Sequence, residues 1–390
     1  MNNLLLSRRQ PTPGDPEGRG GAFADHLREH APRYFPESES LPVEVRSEWK
    51  EVRRGSTLYG FHLAMGPKRR RILVKVLSGE EDQEPPTGHP ERDRPRLIRS
   101  LGLEPEQRCR REYEALSVLH DHIHELQDPR FAAVPVYGTL PEERAIVMEF
   151  VARPALRDLL GFPLPWRRAA LNGAPDPALL FRNAGAWLRM FHELERPEPL
   201  TTRHVRREEF VDFNREVTGF LARVVGPPSF FRRVAARVET AARSVLPEML
   251  PAGLAHGDYA LRNVLAGPEG AVTVIDTKAA WRTAIYEDIG YFLTDLKCNT
   301  VQVMSAGKAL GSRISLYERA FIEGYFGGTV PLAAIRLYGI QACLDKWAAI
   351  AARTKRAETL RSRTLLGLRL RVTSHHFRKV IEAGLRDLGG

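Results

Sequence analysis

The sequence predicts an α+β fold in two lobes, a small lobe built on an antiparallel sheet followed by a larger helical lobe. Three observations carry this. The first 150 residues hold several short alternating or apolar runs and a single amphipathic helical stretch. After Pro154 the apolar spacing becomes mostly helical. One strand pair, NVLAGPEGAVTVID (263–276), interrupts the helices, with Gly-Pro-Glu-Gly as its turn. Strands gathered ahead of helices mark an α+β chain rather than an alternating one. The expected division is a flexible lead over 1–22, a first lobe over 23–152 and a second over 153–390.

Taken in order, residues 7–22 (SRRQPTPGDPEGRGGA) are rich in Pro, Gly and charge, too poor in apolar surface to offset ordering entropy. The stretch 50–65 alternates after Gly55-Ser56, MGPKRRR (65–71) supplies a turn, and ILVKVL (72–77) is a compact strand, so the three read as a hairpin. Residues 78–97 (SGEEDQEPPTGHPERDRPRL) carry almost nothing apolar and read as a long loop. A helix follows at about 107–125, with Tyr113, Leu116, Leu119 and Ile123 at three- and four-residue steps. Strands are expected at 133–138 and 144–151. FRNAGAWLRMFHEL (181–194) is amphipathic, with Ala184, Trp187, Leu188 and Phe191 on one face. Further helices are expected near 206–246, 287–300, 312–325 and 332–352.

The chain has 390 residues, enough for one large domain or two medium ones. Hydrophobic residues make up 43% and charged residues 27%, which excludes a wholly disordered chain, a collagen and a disulfide scaffold. Cys109, Cys298 and Cys343 are far apart, with no metal-ligand spacing, so a reducing cytoplasm is the expected location. No apolar run approaches the roughly 20 residues that span a bilayer. MNNLLLSRR has three consecutive leucines, too few for a signal-peptide core of about 7–15 residues. The formal net charge is +10, and residues 301–390 hold 15 Lys and Arg against 6 Asp and Glu, so the basic character belongs to the C-terminal end.

The strongest chemical signal is His256-Gly257-Asp258-Tyr259-Ala260-Leu261-Arg262-Asn263, followed thirteen residues later by Asp276 at the end of the strand VTVID. Phosphoryl transfer needs a carboxylate near the acceptor hydroxyl and oxygen ligands for Mg²⁺ on the triphosphate. Mg²⁺ keeps several waters, so few protein groups suffice. In this pattern Asp258 would accept or orient the acceptor proton, while Asn263 and Asp276, joined by a hairpin, would hold the metal.

These residues resemble the protein-kinase-like superfamily, and within it the aminoglycoside and choline phosphotransferase-like family of small-molecule or glycan kinases. HGDYALRNVL looks like that family's H-G-D-x-x-x-x-N loop, with His256, Asp258 and Asn263 in the catalytic positions. AGAWLRMFHEL (184–194) looks like its preceding helix, and Glu287-Asp288-Ile289-Gly290 resembles its later acidic box, where Asp288 would brace the catalytic loop. The resemblance runs from about Trp49 to about Asp295. It implies a bilobal protein-kinase-like fold, ATP as phosphate donor and Mg²⁺.

The same resemblance assigns the first lobe. Lys75 would contact the α- and β-phosphates and pair with a helix glutamate, for which Glu112 fits and Glu114 competes. A lysine inside an apolar strand needs such a partner. Gly55 and Ser56 would let backbone N–H groups approach phosphate, although no G-x-G-x-x-G is present. AIVMEFV (145–151) resembles the hinge, with Met148 lining the adenine pocket and Glu149 to Val151 presenting backbone groups.

Asp276 is followed by Thr277-Lys278 rather than by a glycine two residues on, and only twelve positions separate Asp276 from Asp288. That leaves no room for the activation segment that holds a peptide, which favours a small-molecule or glycan acceptor. The basic stretch 353–379 has leucines interleaved with its arginines. It reads as a terminal helix with a solvated basic face, or as a patch drawn to an anionic membrane surface or glycolipid at about 1 kcal/mol per basic residue. A basic end suits an anionic or neutral sugar better than a polycationic antibiotic. Nucleic acid ranks below these partners. The alternative functions are a nucleotide-binding regulator without catalysis, and a protein kinase or nucleic-acid-associated kinase.

Overall fold

The computed structural model describes residues 12–13, 18–53, 55–78, 104–160, 176–196, 200–355 and 360–388. The chain divides into two units. Of the described residues, the first takes those up to Ser78, Glu104–Gln127 and Ala133–Arg153; the second takes Asp128–Ala132 and those from Pro154 onward. Beyond Ser78, the loop expected at 78–97 lies outside the described residues.

In the first unit β1 (Thr12–Pro13), β2 (Val43–Arg53), β3 (Ser56–Met65), β4 (Lys68–Leu77), β6 (Val136–Leu140) and β7 (Ala145–Glu149) form one antiparallel sheet in the order β1-β2-β3-β4-β7-β6. Side chains alternate between the faces of a strand. Tyr59, Phe61, Leu63 and Met65 of β3 and Ile72, Val74 and Val76 of β4 accordingly share one core. Helices α1 (Arg19–Glu29) and α2 (Ala31–Tyr34) add Phe23, Ala24, Leu27 and Tyr34 to that core. Helix α1 therefore begins inside the segment expected to be a flexible lead. Gly20, Gly21 and Ala22 look loose by composition, but the buried Phe23 and Leu27, one turn apart, anchor the helix. The opposite phase of β4 points Lys75 to the other face of the sheet, and α3 (Pro105–Leu126) supplies its partner.

The second unit is mostly helical: α4 (Leu156–Leu159), α5 (Pro177–Glu193), α6 (Arg207–Val224), α7 (Pro228–Val245), α8 (Tyr286–Cys298), α9 (Thr300–Met304), α10 (Arg313–Phe326), α11 (Leu332–Lys355) and α12 (Leu360–Asp387). The helical run expected over 206–246 is two helices. Pro227 and Pro228 part them, because proline has no N–H to donate and is tolerated only in a helix's first turn. Two small sheets sit among the helices. One is β5 (Phe131–Ala132), β10 (Val272–Val274) and β9 (Val264–Ala266), with β10 central; the other pairs β8 (Ala252–Leu254) with β11 (Arg282–Ala284). The β9–β10 hairpin is the strand pair read from NVLAGPEGAVTVID.

Helices α5 and α10 pack at backbone contact. A Cβ on Gly185 would lie 2.0 Å from the Phe321 carbonyl oxygen, and one on Gly324 would lie 1.9 Å from that of Arg182. That close approach buries Trp187, Tyr259, Phe181, Phe292 and Phe321 in a continuous aromatic core, with Trp187 stacked on Tyr259 at 5.8 Å. On the basic terminal helix α12, Phe377 and Ile381 are buried while Arg371 and Lys379 face solvent.

Candidate active site

In the first unit Lys75 is 8% exposed and its Nζ donates to Glu112 Oε1 at 2.6 Å. Glu114, the competing candidate, faces Arg110 at 3.8 Å instead. Two residues of helical spacing turn a side chain by about 200°, so only one of the pair can face the sheet. Cys109, almost one turn before Glu112, is buried, and burial together with the Glu112 charge pushes its thiol up to about 11. That keeps it protonated and unreactive.

Gly55 occupies the two-residue connection that pairs Arg53 with Ser56, at φ 81°, a left-handed conformation that glycine adopts without strain. Its carbonyl accepts from the Ser78 N–H, and Arg108 reaches the same corner by donating to the Ser78 carbonyl. Sequence reading did not single out Arg108. Its place two residues inside the predicted helix carried no marker of that contact.

Met148 is buried on β7. The Glu149 carboxylate accepts from the Tyr137 hydroxyl and lies 3.5 Å from Arg70. The Glu149 N–H donates to the Pro135 carbonyl and the Phe150 N–H to that of Arg71. Those two donors serve the sheet.

In the second unit the loop 256–263 is held from both ends. His256 is fully buried. Its N–H donates to Asp288 Oδ2 at 2.7 Å and the Gly257 N–H donates to Asp288 Oδ1 at 3.2 Å. Asp288 is 2% exposed and also lies 3.5 Å from His192 Nε2, whose Nδ1 bonds the Tyr325 hydroxyl. One carboxylate thus receives two successive backbone donors. Gly257 turns the chain at φ 77°, and a Cβ there would lie 2.7 Å from Trp281. The Tyr259 hydroxyl donates to the Ala184 carbonyl and ties the loop to α5.

Asp258 follows. Asn263 Nδ2 donates to the Asp258 carbonyl at 2.9 Å and to its Oδ2 at 3.1 Å. Arg262 Nη2 reaches the same Oδ2 at 2.5 Å. The Ile275 N–H donates to the Asn263 carbonyl and the Lys278 N–H to the His256 carbonyl. These two bonds bracket Asp276, at φ 60°, and seat it beside the loop that carries Asp258 and Asn263. His256, Asp258, Asn263 and Asp276 are therefore brought together, although the last two lie 13 positions apart in sequence. Among the described residues, no cluster of three or more His, Cys, Asp or Glu side chains is placed to hold a metal. A divalent ion here would draw on Asp276, on Asn263, whose amide nitrogen is already committed to Asp258, and on phosphate and water oxygens.

The chain matches the sequence profile of the APH phosphotransferase enzyme family over residues 86–317, more than half its length. It belongs to that family. It is a phosphotransferase acting on hydroxyl groups. Its fold is similar to that of a putative aminoglycoside phosphotransferase from Ralstonia eutropha JMP134, with a TM-score of 0.53 at 14% identity over 93% of this chain and 98% of that one. A spectinomycin phosphotransferase, solved with ADP and spectinomycin, aligns with a TM-score of 0.50 at 13% identity over 93% of this chain and 98% of that one. No curated protein sequence matches the chain. Among the described residues, no helix is long and apolar enough to cross a membrane.

Proposed function

We propose that the protein is an ATP-dependent kinase of a small hydroxyl-bearing molecule or glycan, with Asp258 as base. Asp258 would orient the acceptor hydroxyl and take its proton as the acceptor oxygen bonds to the γ-phosphorus and the bond to ADP breaks. Lys75, held by Glu112, would steady the α- and β-phosphates, Gly55 and Ser56 would offer backbone N–H groups to phosphate, and Met148, Glu149 and Val151 would border the adenine. Asn263 and Asp276 would hold Mg²⁺, which when bound offsets the charge of the phosphate oxygens. His256 would shape the loop through its buried ring and its backbone bond to Asp288.

The observation that supports this best is the convergence on Asp258: Asn263 reaches it directly, and the β9–β10 hairpin seats Asp276 beside Asn263. A carboxylate, an amide and a second carboxylate on one loop and hairpin are the donors that phosphoryl transfer requires. The short distance in sequence from Asp276 to Asp288 favours an acceptor smaller than a peptide. The basic C-terminal end favours a neutral or anionic alcohol, such as a phosphorylated sugar or glycolipid at an anionic membrane surface. Incubation of the pure protein with MgATP and a panel of sugars, amino alcohols and glycolipids, read by product mass, tests the reading. Asp258→Ala should lower turnover by about 10²–10⁴-fold. Equal phosphorylation by that variant would remove Asp258 from the mechanism.

A further inference from the structure

A second carboxylate, distinct from Asp288, reaches the same loop. Asp295 lies seven residues beyond Asp288 on α8, two turns along and on the same face. Its Oδ2 accepts from the Leu261 N–H at 3.1 Å, and its Oδ1 accepts from Lys346 Nζ at 2.6 Å. Lys346 comes from α11, its side chain and that of Asp295 each only 15% exposed, and its ammonium sits 4.2 Å over the Tyr291 ring. Leu261 is the residue before Arg262, which holds Asp258 Oδ2. The charges therefore alternate in sign along the series Asp258, Arg262, Asp295, Lys346, from the partly exposed Asp258–Arg262 pair to the more buried Asp295–Lys346 pair.

The electrostatics agree with this order. Burial opposes the charge of the Arg262 guanidinium, yet Asp258, Tyr291 and Asp295 together push its pKa above the ordinary arginine range. Burial would likewise raise the Asp295 carboxyl, but Lys346, Arg262 and the Leu261 N–H hold it below its usual value. Burial disfavours the Lys346 ammonium, and Asp295 with Tyr291 more than restores it. Arg262, Asp295 and Lys346 therefore each favour their charged form. Buried ion pairs of this kind add little stability over apolar packing, and their best-attested use is to fix a geometry.

We propose that Asp295 and Lys346 are positioning residues that hold Leu261 and Arg262, and through them the carboxylate of Asp258, in the orientation that turnover needs. This rests on the reading of Asp258 as the base. Asp288 fixes the start of the catalytic loop and the Asp295–Lys346 pair fixes its end, so the base is suspended between two anchors on one helix.

The test uses the full chain and three variants, Asp295→Asn, Lys346→Met and the double substitution, with Lys346→Arg as the conservative control. Turnover is read as Mg²⁺-dependent release of phosphate from ATP, with hydrogen–deuterium exchange of the 255–263 backbone as a readout that needs no turnover. Each single variant should lower kcat about tenfold, the worth of one charge-assisted contact, with KM for ATP unchanged. Lys346→Arg should keep most of the activity. The double variant should recover the melting temperature lost in Lys346→Met, because it buries no lone charge, yet keep the low kcat. Exchange at 255–263 should quicken in both single variants. Wild-type kcat in Asp295→Asn, a rise in KM alone, or unchanged exchange would each overturn the proposal. Faster exchange in the variants of a wild-type protein that neither releases phosphate from ATP nor phosphorylates any member of the acceptor panel would uphold the anchor and defeat the assignment of Asp258 as base.

Discussion

Replacing Asp288 by Asn removes one charge and converts one acceptor oxygen to a donor, without changing volume. In the structure Oδ2 and Oδ1 each accept a backbone N–H, from His256 at 2.7 Å and Gly257 at 3.2 Å, at a site 2% exposed to solvent. An asparagine can accept from only one of them. The other N–H then meets the amide NH₂, a buried donor facing a donor, at a cost of about 1–3 kcal/mol. The surviving bond loses its ionic character, which forfeits about 1 kcal/mol more. The expected loss is therefore about 2–4 kcal/mol, read as a lower urea midpoint by tryptophan fluorescence. The loop would also shift, and a displacement of about 1 Å at a reacting group costs on the order of 10²-fold in rate. Turnover and stability should fall together. A midpoint within error of wild type, with unchanged ATP turnover, would refute the claim that Asp288 sets the loop.

Gly257→Ala meets two obstacles at once, a left-handed φ and a Cβ placed 2.7 Å from the buried Trp281 ring, so stability should fall by roughly 1–3 kcal/mol in the same denaturation assay. Lys75→Met should weaken binding of MgATP, measured calorimetrically with a non-hydrolysable analogue, and should destabilise the chain by removing the ammonium that faces Glu112, whose side chain is 12% exposed. Lys75→Met paired with Glu112→Leu should recover the stability and not the affinity. The folded pKa of Asp295 lies below its unfolded value, so the stability it contributes is fully present above about pH 4 and is lost as pH falls through the folded pKa. The melting-temperature gap between wild type and Asp295→Asn should accordingly be widest near neutrality and close in acid.

The loop 256–263 was legible because its chemistry is local. Asp258 and Asn263 are five residues apart, and the hairpin that returns Asp276 is signalled by its own turn residues. The sheet of the first unit was legible from alternation in β3 and β4, and Lys75 stood out as a charge in an apolar run. Helix α1 was not, because glycines and charges at its start mask the burial of Phe23 and Leu27. Strands β5, β8 and β11 were also missed. Each has two or three residues and exists only through pairing with a distant partner, as Phe131–Ala132 does with Val272–Thr273.

Composition, periodicity and motif spacing by themselves determined the α+β class, the order of its parts and the residue types proposed to carry phosphoryl chemistry, because these depend on neighbours along the chain. Tertiary structure alone decided that Lys75 takes Glu112 over Glu114, that Asp288 receives two backbone donors, and that Lys346 reaches Asp295 from 51 residues away. The reason is physical: a buried charge is stable only where an opposite charge or a hydrogen bond meets it, and that partner is chosen by the packing of whole helices rather than by sequence distance.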